Sequence, residues 1–331
     1  MSWTWILRGL VVGGGAIGVL AVNGMALGAS SPRYPERPVR LVLPFSPGGG
    51  SDAVARIVAP KLHEAMGQPW VVDNRPGAAG NIATEIVAHA EPDGYTVLLG
   101  FSTALTVNPT LYEKMNFNIE KDFRPVINIT AGQYMLVLHP SVKANSVKEL
   151  IEYAKANPGK LRYASAGIGS PLFLSAELFQ NRAGVKLLHV PYKGGGPAAA
   201  SVVSGETHMI FGSLPSSFPH VKAGRLKALA VTGPKRANLA PDIPTIAELG
   251  FPGFEVTSWY GLLVPTRTPN RVVRIIHEET RKVMQIPEVE QRLSRLGLWI
   301  DVRGPNEFAA RVKAETSQWA KLMKEAGVKP K

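Results

Sequence analysis

The chain of 331 residues contains no cysteine. This absence excludes disulfide bonds, thiolate metal sites and lipid attachment to a cysteine. Beyond the amino-terminal segment, no apolar stretch approaches the length of a membrane span. Blocks of like charge interleaved with aromatic residues are also absent, although the formal net charge is +12, so we expect no nucleic-acid binding. An ordinary solvated surface accounts for most of this dispersed charge, and the remainder favours small anionic partners.

The amino-terminal residues 1–29 have the features of an export signal. Arg8 precedes an uncharged apolar run over residues 9–22, and small residues suited to cleavage follow it. A membrane anchor is the alternative, but glycines interrupt the run and it ends at Asn23, so it is short for a span. We therefore predict a cleaved signal peptide and a mature protein in the periplasm.

The remaining residues, about 300, are enough for two α/β lobes. Residues 39–100 show a strand-helix-strand-helix-strand order, which implies a parallel sheet with right-handed crossovers. A polar segment at 128–133 precedes a second strand-helix series, and a long strand at 254–264 would return the chain to the first lobe. The predicted lobes are residues 33–130 with 255–331, and residues 131–254.

Glycine-rich turns follow a strand in each predicted lobe. The first strand runs into Gly48 and Gly49 before a helix begins, and a second-lobe strand meets Ser165, Gly167 and Gly169 before another helix. A strand, a glycine turn and a helix amino terminus leave several backbone N–H groups aimed at one point, and that point attracts anions. Neither turn matches the Walker or dinucleotide-binding pattern. We therefore expect two amide-rich turns that face each other across a cleft.

Short motifs spread along the mature chain resemble one known family. In order they are YPERPV (34–39), PFSPGG (44–49) with Asp52, NRPG (74–77), PDGYT (92–96), NPTLY (108–112), YASAG (163–167), VPYKG (190–194) and WYG (259–261). Together they look like the Bug proteins, the TctC-like periplasmic solute receptors of tripartite tricarboxylate transporters. The resemblance implies a two-lobed, type II periplasmic-binding-protein fold whose ligands are commonly small carboxylates.

The resemblance also implies a binding mode. In the family, backbone amides and ordered water from the two glycine turns hold the ligand carboxylate between the lobes. Carried over, the expected ligand-binding residues are Phe45, Ser46, Gly48, Gly49, Ser165, Ala166, Gly167 and Gly169, with hydroxyl contacts from Ser102 and Thr103 and a wall from Tyr192. Asp52 is expected to cap its helix, because a carboxylate would repel an anion. Gly212 and Ser213 stand where the family often has an acidic residue, which makes an amino-acid ligand less expected.

The implied protein is a monomeric receptor without cofactor or metal, which serves transport through membrane subunits or acts as a sensor. The ligand stays open among dicarboxylates, tricarboxylates, aromatic acids and neutral amides, because backbone amides recognise little beyond a carboxylate. One alternative is a hydrolase with Ser102 or Ser170 as nucleophile, but no paired base stands at a recognised spacing. The other is a basic protein-interaction module, which would show no stabilisation by a small molecule.

Overall fold

The computed structural model describes residues 33–45, 47, 50–192 and 194–330. The strands among these residues are β1 (Val39–Leu43), β2 (Trp70–Asn74), β3 (Thr96–Phe101), β4 (Phe123–Leu138), β5 (Arg162–Ser165), β6 (Leu188–Pro191), β7 (Met209–Ser213), β8 (Lys227–Val231), β9 (Thr257–Pro265) and β10 (Leu298–Arg303). The helices are α1 (Gly50–Met66), α2 (Asn81–Ala88), α3 (Ser102–Thr106), α4 (Asn108–Leu111), α5 (Ile119–Asp122), α6 (Val147–Ala156), α7 (Pro171–Ala183), α8 (Gly195–Val203), α9 (Leu214–Lys222), α10 (Asn270–Val283), α11 (Pro287–Arg295) and α12 (Pro305–Glu325). The predicted signal peptide and the predicted Ser46, Gly48 and Gly49 lie outside the described residues.

The first three strands form the parallel sheet that the sequence predicts. In β1, Leu41 is in register with Val72 of β2 on one side and with Val97 of β3 on the other. The side chains of β1 are buried except for that of Arg40. Helix α1 packs on this sheet and ends before Gly67, whose φ of 76° lets its N–H donate to the His63 carbonyl.

Strand β4 is longer than predicted and connects the two parts of the sheet. Its residues 123–133 pair antiparallel with β9, and residues 134–138 pair with β7 and β8. The sequence predicts a strand only from residue 134, because residues 128–133 are polar. That prediction is wrong because β10, which sequence reasoning missed, satisfies these polar groups. The Asn128 amide donates to the Asp301 carbonyl at 2.5 Å, and the Thr130 hydroxyl donates to the Trp299 carbonyl at 2.6 Å.

The second part of the sheet also contains parallel strands, because β5 pairs with both β6 and β7. Helix ends here follow the predicted caps. The Ser146 hydroxyl accepts the Glu149 N–H at 3.1 Å at the start of α6, and the Ser170 hydroxyl accepts the Phe173 N–H at 3.3 Å at the start of α7. Gly184 ends α7 in the left-handed conformation with φ of 62°.

The strand order across the sheet is β2-β1-β3-β9-β4-β7-β5-β6, with β8 and β10 also paired to β4. Separate hydrophobic clusters cover the two parts, one around Leu41 and Leu62 and another around Leu136 and Phe211. Tyr34–Lys331 form one compact unit, so the division into lobes remains a prediction. None of the helices in the described part of the chain combines the length and apolar composition needed to cross a bilayer.

Candidate functional site

A cavity of 490 Å³ lies where β4 passes from β9 to β7, and we call it the front cleft. Residues from both parts of the sheet line it. They are Gly50, Ala53, Phe101, Gly132, Gln133, Tyr134, Ala166, Pro171, Leu172, Gly195, Gly196, Ser213, Pro215, Ser216, Ser258, Tyr260 and 296–298. Its volume suits a small organic molecule.

Four helices begin at the front cleft. Gly50 starts α1, Pro171 starts α7, Gly195 starts α8, and Ser213 is the residue just before α9. Amides in the first turn of a helix have no intrahelical partner, and the helix dipole places partial positive charge there. The residues that precede α8 and α9 make no side-chain capping hydrogen bond. The front cleft therefore receives partial positive charge from backbone groups.

Ionisable acids and bases are missing from this lining. Among the described residues of the front cleft there is no aspartate, glutamate, lysine, arginine or histidine. The polar side chains are mostly hydroxyls, and the Ser213 and Ser216 oxygens lie 2.8 Å apart. Burial raises the pKa of Tyr134 and of Tyr260, so both phenols stay neutral at physiological pH. Within the described lining, a bound anion would meet neutral hydrogen-bond donors only.

An aromatic wall borders the front cleft. The rings of Phe45 and Phe101 are 5.4 Å apart edge to face, and those of Phe101 and Tyr260 are 5.2 Å apart. The Tyr260 hydroxyl abuts the start of α1, where a Cβ on Gly50 would overlap it. Glycine at position 50 therefore lets the aromatic wall approach the helix terminus.

Hydrogen bonds within the turn stabilise the second glycine turn, residues 165–169. Ser165 is fully buried, and its hydroxyl oxygen accepts the Gly167 N–H at 2.9 Å. The same oxygen lies 2.7 Å from Nε2 of His189. Ala166 lines the front cleft, but the Gly167 amide is used inside the turn. In this conformation Ser165 and Gly167 shape the turn, and Ala166 faces the cavity.

The other predicted residues lie around the front cleft without lining it. Gly169 faces Leu111, because a Cβ there would come within 2.8 Å of the leucine Cδ2. Ser102 is buried at the start of α3, where its hydroxyl has no hydrogen-bond partner among the described residues, and Thr103 follows it. The Tyr192 hydroxyl donates to Glu206 at 2.9 Å.

Two predicted capping or catalytic roles differ in the structure. Asp52 is the third residue of α1 and is buried, and its Oδ2 accepts from Arg56 Nε at 2.8 Å, so it lies inside the first turn. Ser170, a candidate nucleophile, donates to the Gly167 carbonyl at 2.7 Å and caps α7. A serine engaged in both roles has no base to activate it.

Sequence reasoning missed several residues of the front cleft. Gly195 and Gly196 follow a strand and open a helix, the same pattern that pointed to the two predicted turns. Tyr260 belongs to the WYG motif, which carried the resemblance but no assigned role. Gln133 and Ser258 line the same cavity because β4 and β9 pair, and no local signal marks them.

We expect the stability of the protein to depend on the protonation of His189. Its half-buried ring stacks on Tyr163 at 4.9 Å and lies 5.0 Å from Phe173, and burial lowers its pKa below the ordinary value of 6.5. Between the folded and the unfolded pKa the unfolded chain binds more protons, so stability is lost as the pH falls below 6.5. Melting temperatures from pH 7.5 to 5 should fall less steeply for His189→Asn than for the parent protein.

The exposed His63 provides the matched control, and His63→Asn is measured over the same pH range. Identical slopes for the parent and His189→Asn would show that the ring contributes no proton linkage.

Comparison with known proteins identifies the family. The model for the tripartite tricarboxylate transporter family receptor, TctC, matches residues 54–328. The chain belongs to this receptor family. Protein BugT of Bordetella pertussis is 34% identical to this receptor over 313 residues. The matched region covers 94% of the present chain and 96% of BugT.

Solved structures agree with this assignment. An R. palustris protein with adipate is 36% identical, has a TM-score of 0.79, and is matched over 90% of the receptor and 100% of its own chain. MatC from Rhodopseudomonas palustris with bound malate is 31% identical, with a TM-score of 0.74 and coverage of 87% and 99%. The predicted α/β periplasmic-binding-protein fold is confirmed, and the receptor is a solute-binding protein rather than an enzyme. Members of its family are periplasmic receptors.

Proposed function

We propose that the receptor binds a small carboxylate in the front cleft and presents it to the membrane subunits of a tripartite transporter. The convergence of four helix amino termini on a cavity whose described lining has no charged side chain carries this proposal. Such a site prefers an anion, because amides and hydroxyls stabilise negative charge while no buried cation has to be neutralised in the empty state. The structures of relatives with adipate and malate support a carboxylate as the anion.

The shape of the front cleft favours a dicarboxylate of short or medium length. The amino termini of α8 and α9 and the Ser213–Ser216 hydroxyl pair can hold one carboxylate. Gly50 at the start of α1 supplies a second group of amides, beside Tyr260. Apolar contacts from Phe101 and Leu172 then suit a methylene chain between the two charged ends.

The predicted lobes, residues 33–130 with 255–331 and residues 131–254, would close on this ligand. The strand pairing of β4 supports this closure, because β4 pairs with β9 up to Gln133 and with β7 from Tyr134 onward. Ligand contacts that exist together only in the closed form shift the population toward it. The predicted turn residues Ser46, Gly48 and Gly49, together with Ser165, Ala166 and Gly167, would belong to the two closing edges.

Adipate, malate and the neutral diamide adipamide separate charge recognition from recognition of shape. At a concentration of about 100 times its Kd, a binding dicarboxylate should stabilise the receptor by about 2.7 kcal/mol, measured as a rise in melting temperature. Adipamide has the same length without the charge and should give no rise. Small-angle scattering of the adipate-saturated receptor should show a smaller radius of gyration.

Equal stabilisation by adipamide and adipate would contradict an anion site. Absence of stabilisation by any dicarboxylate or tricarboxylate in a wider screen would contradict the receptor function proposed for the front cleft.

A further inference from the structure

We propose that the protein has a second ligand site, for a small organic anion with an apolar body, in a cavity beside β10. This β10 cavity has a volume of 520 Å³. The loop 234–239 forms one side, β10 forms another, and Leu214 at the start of α9 closes a third. None of the predicted ligand-binding residues that the structure describes lines it.

The charges in the β10 cavity are unbalanced. Lys235, Arg236 and Arg303 line it, and Asp301 is the sole carboxylate among the described lining residues. Lys235 is exposed and makes no ion pair with a carboxylate in the described part of the chain. Arg236 pairs through Nε with Glu248 at 2.9 Å and donates through Nη1 to the Pro241 carbonyl at 3.3 Å, which leaves the Nη2 N–H groups for a ligand.

Asp301 pairs with Arg303 alone among these cations, so it does not compensate Lys235. Its Oδ2 pairs with Nη1 of Arg311 at 2.5 Å and accepts from the Asn128 amide at 3.2 Å. Arg303 Nε lies 3.1 Å from Oδ1 of the same carboxylate. The β10 cavity thus retains positive charge that an anion can neutralise.

Apolar side chains form the rest of the β10 cavity. Leu214, Leu298, Trp299 and Ile300 line it, and Leu239 at its edge is 38% exposed. Exposed leucine beside cations is unfavourable in water but suits a ligand that has both an apolar body and a negative group. An indole in the lining also offers a flat surface for an aromatic ring. These features select an aromatic carboxylate or sulfonate over a small hydrophilic acid.

The β10 cavity and the front cleft share part of one wall. Gln133, Gly297 and Leu298 line both cavities. A Cβ on Gly297 would lie 3.3 Å from Leu214 and 3.2 Å from Pro215, so the start of α9 packs directly on this wall. With these residues between the two linings, we expect both ligands to bind at the same time. Any coupling between them must be reciprocal.

The fluorescent dye 8-anilinonaphthalene-1-sulfonate, a sulfonate on an aromatic body, tests the site in the full mature protein. The dye should bind with enhanced emission and should quench tryptophan fluorescence through Trp299. Lys235→Glu should raise the dye Kd by about tenfold or more, because it replaces attraction by repulsion at short range. Trp299→Phe should lower the energy transfer from tryptophan and leave direct dye emission measurable.

Lys160→Glu is the matched control, since it makes the same change in net charge at an exposed lysine outside the β10 cavity. An equal loss of dye affinity in Lys235→Glu and Lys160→Glu would show that only the net charge of the protein matters. That result would overturn the proposed site. Displacement of the dye by saturating adipate, or loss of dye binding in Gly196→Asp with retention in Lys235→Glu, would place the dye in the front cleft and likewise overturn it. Retained dye binding together with failure of adipate to bind would count against the proposed front-cleft function alone.

Discussion

Gly196→Asp is expected to abolish carboxylate binding without destabilising the protein. Gly196 lies in the first turn of α8 and lines the front cleft, and a Cβ at this position would meet no heavy atom within 4 Å. An aspartate there would occupy the amides that a ligand carboxylate needs and would repel it. Two like charges 4 Å apart repel by roughly 4 kcal/mol at an effective dielectric constant of 20, so we expect the Kd to rise at least about 100-fold.

The same substitution should preserve or raise the melting temperature. An acidic residue in the first turn stabilises a helix by about 0.3–1 kcal/mol, and replacing a helical glycine adds a similar amount. Isothermal titration with adipate and thermal unfolding of the same samples measure the two effects. Loss of affinity therefore cannot be attributed to unfolding.

Gly196→Asn provides the control for volume. Asparagine has nearly the same size as aspartate but no charge, so it should weaken adipate binding much less than aspartate does. Affinity within threefold of the parent in Gly196→Asp, or equal losses in both variants, would rule out an anion held at the start of α8.

Among the substitutions proposed for this protein, Arg311→Met is expected to lower the free energy of unfolding most. The Arg311 side chain is 8% exposed, and its guanidinium pairs with Asp301 at 2.5 Å and with Glu315 at 2.7 Å. It also donates to the Thr257 hydroxyl at 2.9 Å and lies 5.4 Å from the Trp259 ring centre. Methionine keeps the apolar volume but leaves Glu315 without its cation and Asp301 with Arg303 alone, which should cost about 3–5 kcal/mol.

Chemical denaturation at pH 7 measures this free energy of unfolding. Burial raises the pKa of Glu315, and the partner arginine opposes that rise. Removing the arginine therefore favours the protonated acid, so the deficit of Arg311→Met should narrow as the pH falls toward 5. Lys282→Ala is the control, because it breaks an exposed ion pair with Glu279 that contributes less than about 1 kcal/mol. If Arg311→Met lost no more unfolding free energy than Lys282→Ala, the contacts of Arg311 would not stabilise the packing of α12 against β9 and β10.

Local sequence signals predicted much of the fold. The β-branched residues predict β1, and the Ser170-Pro171 pair predicts the start of α7. Both elements are determined by residues that are close in sequence. Motif order identified the family, and the comparisons confirm it. The polar run at 128–133, by contrast, gave the wrong boundary for β4. Its amide and hydroxyl partners come from β10, some 170 residues away in the chain.

The candidate site was less predictable than the fold. Glycine turns indicated backbone amides as the anion-binding groups, but a sequence does not show which amides are already occupied. The Gly167 N–H is taken by Ser165, whereas the Gly195–Gly196 start of α8 faces the cavity. Both outcomes follow from contacts between elements that are distant in sequence.

The sequence by itself determined the α/β class and the receptor family, because these depend on local patterns and motif order. Only the tertiary structure decided which helix starts converge, that hydroxyls and aromatic rings complete the front cleft, and that cations and apolar side chains meet in the β10 cavity. The physical reason is that long-range strand pairing through β4 and burial select the groups that share a cavity. No short segment of the chain encodes that selection.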